Sequence, residues 1–204
     1  MGDTFSFVKL PSNKVLGATK KLPYTDHQLN RIIDAVKDAD LKDYIFIALY
    51  TGMRIDEIAK LTVNDIEEND GRVLIFIREA KTKAGIRSVP VHKKIESIIS
   101  TRISVTSDYL FQSASENKSG IRSDKHSKAF GRVKSKLGFN EQYDFHSLRR
   151  TFITKLDRAG VSERISADIV GHDLKTMTYG LYSGGSSTDD KFKAIDQVKY
   201  DMLD

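Results

Sequence analysis

The chain has 204 residues, 39% of them hydrophobic and 30% charged, which is the composition of a globular protein with one good core and excludes a disordered or fibrous chain. Cysteine is absent, so disulfides and thiolate zinc sites are excluded and no metal or cofactor is expected; no apolar run could span a bilayer, so no membrane partner and a cytoplasmic location are expected. The net charge is only +5, yet Lys118 to Arg158 holds eleven Lys/Arg against four Asp/Glu, a local concentration that suits a polyanionic partner.

Residues 1–22 lack periodicity and read as a tail or linker remnant, with the folded part beginning near Pro23. Thr25 followed by Gln28 is a capping box, and Leu29, Ile32, Ile33 and Val36 recur behind it at helical spacing. Leu41 to Tyr50 is apolar almost all round, as a helix buried in a core is, and Thr51-Gly52 breaks it. A short helix fits Ile55 to Leu61. Strand chemistry follows in Arg72 to Ile77, then a hairpin loop at Lys81-Thr82-Lys83-Ala84-Gly85 and a returning strand from Ile86 to Val91. Further helices are expected at 93–101, 124–137, 146–159, 162–170 and near 190–199. Residues 183–190 have linker composition and read as a flexible joint before an amphipathic C-terminal helix. The fold class expected is mainly α with a small antiparallel β-sheet.

Three segments carry residues suited to chemistry. In Thr51-Gly52-Met53-Arg54-Ile55-Asp56-Glu57, Arg54 and Glu57 are three residues apart and share a helix face. In His146-Ser147-Leu148-Arg149-Arg150, an imidazole and a guanidinium sit at i and i+3 beside an apolar stripe of Leu148, Phe152 and Leu156. The third segment is Gly171-His172, followed by Tyr179 and Tyr182. Taken singly, each has an ordinary structural reading: a surface ion pair, a helix cap, half-buried aromatics.

Their order along one chain (arginine, lysine hairpin, His-x-x-Arg, Gly-His, tyrosine) resembles the tyrosine recombinase, or phage integrase, family. The resemblance covers about residues 23–199 and implies that family's DNA breaking-rejoining catalytic fold. It also implies site-specific recombination through a 3′-phosphotyrosyl intermediate. Attack on a phosphodiester builds negative charge on the nonbridging oxygens, and fixed cations and donors must meet it. By resemblance Arg54 and Arg149 are the paired arginines, whose planar forks hold a phosphate as lysine cannot. His146 and His172 match the positions that donate to the same phosphate or move protons, and Glu57 the acidic residue that supports the cluster.

Tyr182 matches the nucleophile. It lies ten residues beyond His172, where many relatives have nine, and Tyr179 lies at seven. The departing 5′-oxygen needs a proton, which the family takes from a hairpin lysine; Lys81 and Lys83 compete for this role, with Lys81 preferred because it opens the turn. Lys83, Lys125, Lys128, Arg132 and Arg150 are candidates for backbone phosphate contacts on double-stranded DNA. Self-assembly into a tetramer on DNA and DNA-bending accessory proteins are implied partners.

The domain organisation expected is a tail at 1–22, a catalytic domain at 23–183, and a joint with its helix at 184–204. The family's usual N-terminal DNA-binding domain has no counterpart in these residues, so a fragment of a longer protein is expected. The competing readings are relaxation of the type IB topoisomerase kind and an inactive DNA-binding module.

Overall fold

The computed structural model describes residues 20–69, 71–80, 82–173 and 185–201. The chain is tied down from Lys21 onward, where Lys21 pairs with Asp144 and the Leu22 N–H donates to the Gln142 carbonyl. Thr25 then opens helix α1 (Asp26–Ala35) through the expected reciprocal cap: the Gln28 N–H donates to Thr25 Oγ1 and the Thr25 N–H to Gln28 Oε1. Leu29, Ile32 and Ile33 form its buried face.

Helix α2 (Ala39–Thr51), capped by Asp38, is buried on every side from Tyr44 through Thr51 apart from Phe46. It is the axis of the molecule. Around it pack α3 (Ile55–Lys60), α4 (Lys93–Ser104), α5 (Asp124–Lys136) and α6 (His146–Arg158). Gly52 ends α2 with φ +66°, and a Cβ there would lie 2.5 Å from Phe152 Cδ1 and 2.9 Å from Val170 Cγ1. Only glycine fits, because the end of α2 is wedged between α6 and α7 (Glu163–Val170) while its backbone turns left-handed.

The sheet has three antiparallel strands, β1 (Ile66–Asn69), β2 (Arg72–Ile77) and β3 (Arg87–Pro90), in that order. Ile66 pairs with Ile75, and Ile77 with Arg87. β1 departs from the two-stranded expectation. Its Ile-Glu-Glu-Asn sequence has one apolar residue and no alternation, and it acquires strand structure by pairing along the outer side of β2, where charged side chains suit an exposed edge. Pro90 lies at the end of an edge strand, where its missing N–H costs no ladder bond. The loop before β3 is a 3-10 turn at Lys83–Gly85.

Helix α4 runs to Ser104, three residues past its expected end. Helix α8 (Thr188–Ile195) starts earlier than expected and ends earlier, so the last three residues of the linker-like stretch are helical. Ser187 caps it, and Asp189 and Asp190 suit the positive pole of its first turn. α8 packs on β3 and α7 and buries Phe192, Ala194 and Ile195, after which Tyr200 donates its hydroxyl to the Leu49 carbonyl. Among the described residues no helix is long and apolar enough to cross a membrane.

Candidate active site

Arg54 is the N-cap residue of α3, and Glu57 one turn on reaches back to it. The Arg54 N–H donates to Glu57 Oε2 at 2.8 Å, and Arg54 Nη1 donates to Oε1 at 2.8 Å. The pair seen in the sequence is therefore not a plain surface contact, because the Glu57 side chain is only 11% exposed while that of Arg54 is 42% exposed. Burial raises the Glu57 carboxyl, and the hydrogen bonds and charge of Arg87, with the backbone and side-chain hydrogen bonds of Arg54, outweigh it and hold the group below the usual carboxylate range.

Arg149 lies in the first turn of α6 and is fully buried, at 1% exposure. Its Nη1 donates to the Gly52 carbonyl at 2.8 Å and its Nη2 to the Val170 carbonyl at 2.6 Å. One guanidinium thus ties together the last residues of α2 and α7, whose terminal carbonyls have no partner within their own helices. The anchor on Gly52 stands two residues before Arg54, so the fold brings the two arginines to one place. Burial, then the charges of Arg54 and Arg87, push the Arg149 guanidinium down to about 9, where it stays charged at neutral pH.

Gly171 closes α7 in the left-handed conformation, with its N–H and that of His172 both donating to the Ala167 carbonyl. This is the helix cap that Gly-His suggested, and it also delivers His172 to the arginines. Burial, then Arg149, Arg54, His146 and Arg87, push the His172 imidazole down to about 4. His146 at the start of α6 is lowered by burial first and then by Arg149, with Arg150 and Arg54 adding to it against Asp144. Both residues are exposed, and the downward shift favours the neutral ring, which can donate through one nitrogen and accept through the other. A cleft of about 440 Å³ opens here, lined by Arg54, Thr82, Ile153, Ala167, Gly171 and His172, with Glu163 and Asp173 also on its wall.

Of the residues singled out from the sequence, Arg54, Glu57, His146, Arg149 and His172 come together. Lys83 is exposed in the 3-10 turn, beside Thr82 of the cleft. Lys81, Tyr179 and Tyr182 lie outside the described residues. Lys125, Lys128, Arg132 and Arg150 are exposed, although Lys128 pairs with Asp124 at 2.7 Å. The basic segment is smaller in effect than its charge suggests, since several of its cations serve the fold. Arg149 is buried, Lys155 pairs with Asp26, Lys134 donates to the Asn140 carbonyl, and Arg122 donates to the Ala59 and Phe111 carbonyls.

Sequence reasoning assigned no role to Arg87, whose side chain is 3% exposed against Glu57. Its signal was weak. An arginine in the middle of Gly-Ile-Arg-Ser-Val-Pro reads as the polar face of an edge strand, and only burial distinguishes it.

A mainly helical domain with a small three-stranded sheet, in which Arg54 and His172 line a cleft and His146 and the buried Arg149 lie close enough to perturb His172, defines the class of DNA breaking-rejoining catalytic domains. Residues 24–186 match the phage integrase family, and the chain belongs to that family. Among curated relatives, it is 31% identical over 168 residues to the transposase from transposon Tn916 of Enterococcus faecalis, covering 69% of this chain and 41% of that protein. It is 27% identical over 173 residues to a tyrosine recombinase of Pseudothermotoga lettingae, covering 79% and 53%. The chain therefore spans about half the length of these relatives. Among solved structures, the integrase from mycobacterium phage Brujita superposes with a TM-score of 0.68 at 17% identity, covering 90% of this chain and 60% of that one. The Tn1549 transposon integrase in complex with circular intermediate DNA superposes with a TM-score of 0.62 at 22% identity, covering 89% and 68%.

Proposed function

We propose that the chain is the catalytic part of a site-specific recombinase that cuts and rejoins double-stranded DNA, for integration or excision of a mobile element, through a 3′-phosphotyrosyl bond to Tyr182. The observation that carries this reading is the Arg149 guanidinium anchored on the ends of α2 and α7, which sets its charge close to Arg54 and His172, the two residues that line the cleft. Arg54 and Arg87 both pair with the one buried carboxylate of Glu57, and Arg149 adds a third guanidinium charge nearby, leaving an excess of positive charge where an anion would bind. Arg149 Nε is buried with no protein partner among the described residues, and a DNA phosphate oxygen is an acceptor that suits it.

In the reaction, the Tyr182 oxygen attacks the scissile phosphorus and passes its proton to the neutral imidazole of His172 or His146, the bond to the 5′-oxygen breaks, and that oxygen leaves as a hydroxyl after gaining a proton from Lys81 or Lys83. Arg54 and Arg149 stabilise the charge that grows on the nonbridging oxygens, and His146 and His172, biased toward the neutral form by burial and then by their cationic neighbours, donate to the same oxygens. Rejoining reverses these steps with a new 5′-hydroxyl and needs no ATP, because the bond energy is kept in the phosphotyrosine. Residues 23–183 would form the catalytic unit in the bacterial cytoplasm, with 184–204 as joint and helix in a tetramer on DNA that bending proteins assist.

Nicked half-site duplexes taken from the DNA flanking its gene test the reading. The wild type leaves an SDS-resistant protein–DNA adduct and Tyr182→Phe leaves none; an adduct that persists in Tyr182→Phe and vanishes in Tyr179→Phe moves the nucleophile, and a wild type without adduct refutes the function. A 5′-sulfur leaving group, which departs without protonation, restores cleavage to whichever of Lys81→Ala and Lys83→Ala has lost the acid.

A further inference from the structure

We propose that Arg87 is a positioning residue: through Glu57 it fixes the Arg54 guanidinium, and through the Ile169 carbonyl it holds the end of α7 that carries His172. The inference rests on the recombinase reading for its kinetic consequence and on geometry alone for its structural one. Arg87 Nε donates to the Ile169 carbonyl at 2.8 Å, and Nη1 donates to the Gly85 carbonyl at 2.8 Å and to Glu57 Oε1 at 3.1 Å. Nη2 donates to Glu57 Oε2 at 2.9 Å. One planar group thus binds α3, α7 and the hairpin turn at once, a use that a point-charge lysine cannot reproduce.

The consequence falls on Arg54. Its side chain is 42% exposed, and Glu57 is the carboxylate that holds it in this structure. Glu57 is in turn held by Arg87, whose three guanidinium nitrogens are all engaged by Glu57 and by the Ile169 and Gly85 carbonyls. The same residue borders the other half of the site. A Cβ on Gly171 would lie 3.0 Å from Arg87 Cδ and Nη1 and 2.9 Å from the Ala84 carbonyl, so the hairpin turn, Arg87 and the end of α7 fit without slack. Ile169 and Val170 offer consecutive carbonyls to Arg87 and Arg149, which makes the last turn of α7 the shared support of both arginines. The charged groups that act on Glu57 are Arg54 at the start of α3, Arg87 from β3 and Arg149 from α6.

Single-turnover cleavage of the nicked half-site at saturating protein tests this with Arg87→Lys, Arg87→Met and Glu57→Gln. Arg87→Lys is expected to bind DNA within about threefold of wild type and to cleave roughly 100-fold more slowly, the cost of a displaced catalytic group. Adding Glu57→Gln to Arg87→Lys should slow it by no more than about threefold further, because the two residues act as one unit. Cleavage by Arg87→Lys within threefold of wild type overturns the proposal, as do losses that multiply in the double variant. Should Arg87→Met fail to fold, Arg87→Lys, which keeps the charge, carries the test. Should the wild type form no adduct, the recombinase reading falls by itself, and NMR of Arg87→Lys decides the positioning role. A raised titration midpoint of the Glu57 carboxyl together with a faster-exchanging Arg54 Nε–H supports it, and wild-type behaviour of both overturns it.

Discussion

Gly52→Ala strikes the joint between α2, α6 and α7 on which the cleft depends. The residue sits at φ +66°, and the new methyl would lie 2.5 Å from Phe152 Cδ1 and 2.9 Å from Val170 Cγ1. A left-handed backbone costs an L-residue about 1–2 kcal/mol. Forcing a methyl into a close-packed core costs a further ~1–3 kcal/mol, so the loss should be roughly 2–5 kcal/mol in all. Set against a stability of roughly 5–15 kcal/mol, the variant should still fold at 25 °C, with a Tm lowered by roughly 4–20 °C.

Gly160→Ala isolates the backbone part of this loss. Gly160 has φ +78° and nothing within 4 Å of its added Cβ, so it should lose only the ~1–2 kcal/mol of strain. Because the Gly52 carbonyl is the acceptor for Arg149 Nη1, Gly52→Ala should also slow cleavage by about tenfold or more, while Gly160→Ala should not. Urea denaturation and single-turnover cleavage of the two variants measure both effects. Equal stability and equal activity of the pair would refute the claim that the end of α2 is closed by Phe152 and Val170 and sets Arg149.

Three further outcomes are expected. Arg149→Lys keeps a charge but cannot span the Gly52 and Val170 carbonyls, so adduct formation should fall by about 100-fold or more, and a fall under tenfold in gel-based cleavage would contradict the role. The free protein should lose stability as pH falls from 6.5 to about 4: the unfolded His172 takes up its proton near 6.5 and the folded one, depressed by burial and by Arg149, only near 4. Glu57, also depressed when folded, adds stability above its unfolded pKa and loses it on further acidification, in the same direction. Thermal melts across this range should show a shallower decline in His172→Asn, and an unchanged slope would argue against the cationic pocket. Lys125→Ala, on the exposed face of α5, should weaken DNA binding about equally for all sequences and reduce the magnitude of the slope of log K against log salt by about one, as fluorescence anisotropy would show.

What could be read before folding was local. Thr25 and Gln28 make their own cap from residues three apart, and the apolar circumference of Leu41 to Tyr50 permits only a buried helix. The ends of α5, α6 and α7 follow within a residue or two from capping and periodicity. β1 could not be read because its pattern is supplied by β2, and the helical start of α8 was hidden by a composition that also suits a linker.

The candidate site divides in the same way. Arg54 with Glu57, His146 with Arg149, and Gly171 with His172 were legible because each pair lies within one helical turn or one cap, where spacing alone places side chains together. That these three segments meet was decided by tertiary structure, through the Arg149 guanidinium that bridges the carbonyl ends of α2 and α7. Arg87 belongs wholly to the second category. Its partner Glu57 lies thirty residues away, and the burial that turns a strand arginine into the keystone of an ion-pair network exists only once α3, β3 and α7 have packed. Sequence determines which side chains a single turn presents, whereas the desolvation that gives a charge its orientation, its altered pKa and its reach is a property of the packed elements around it.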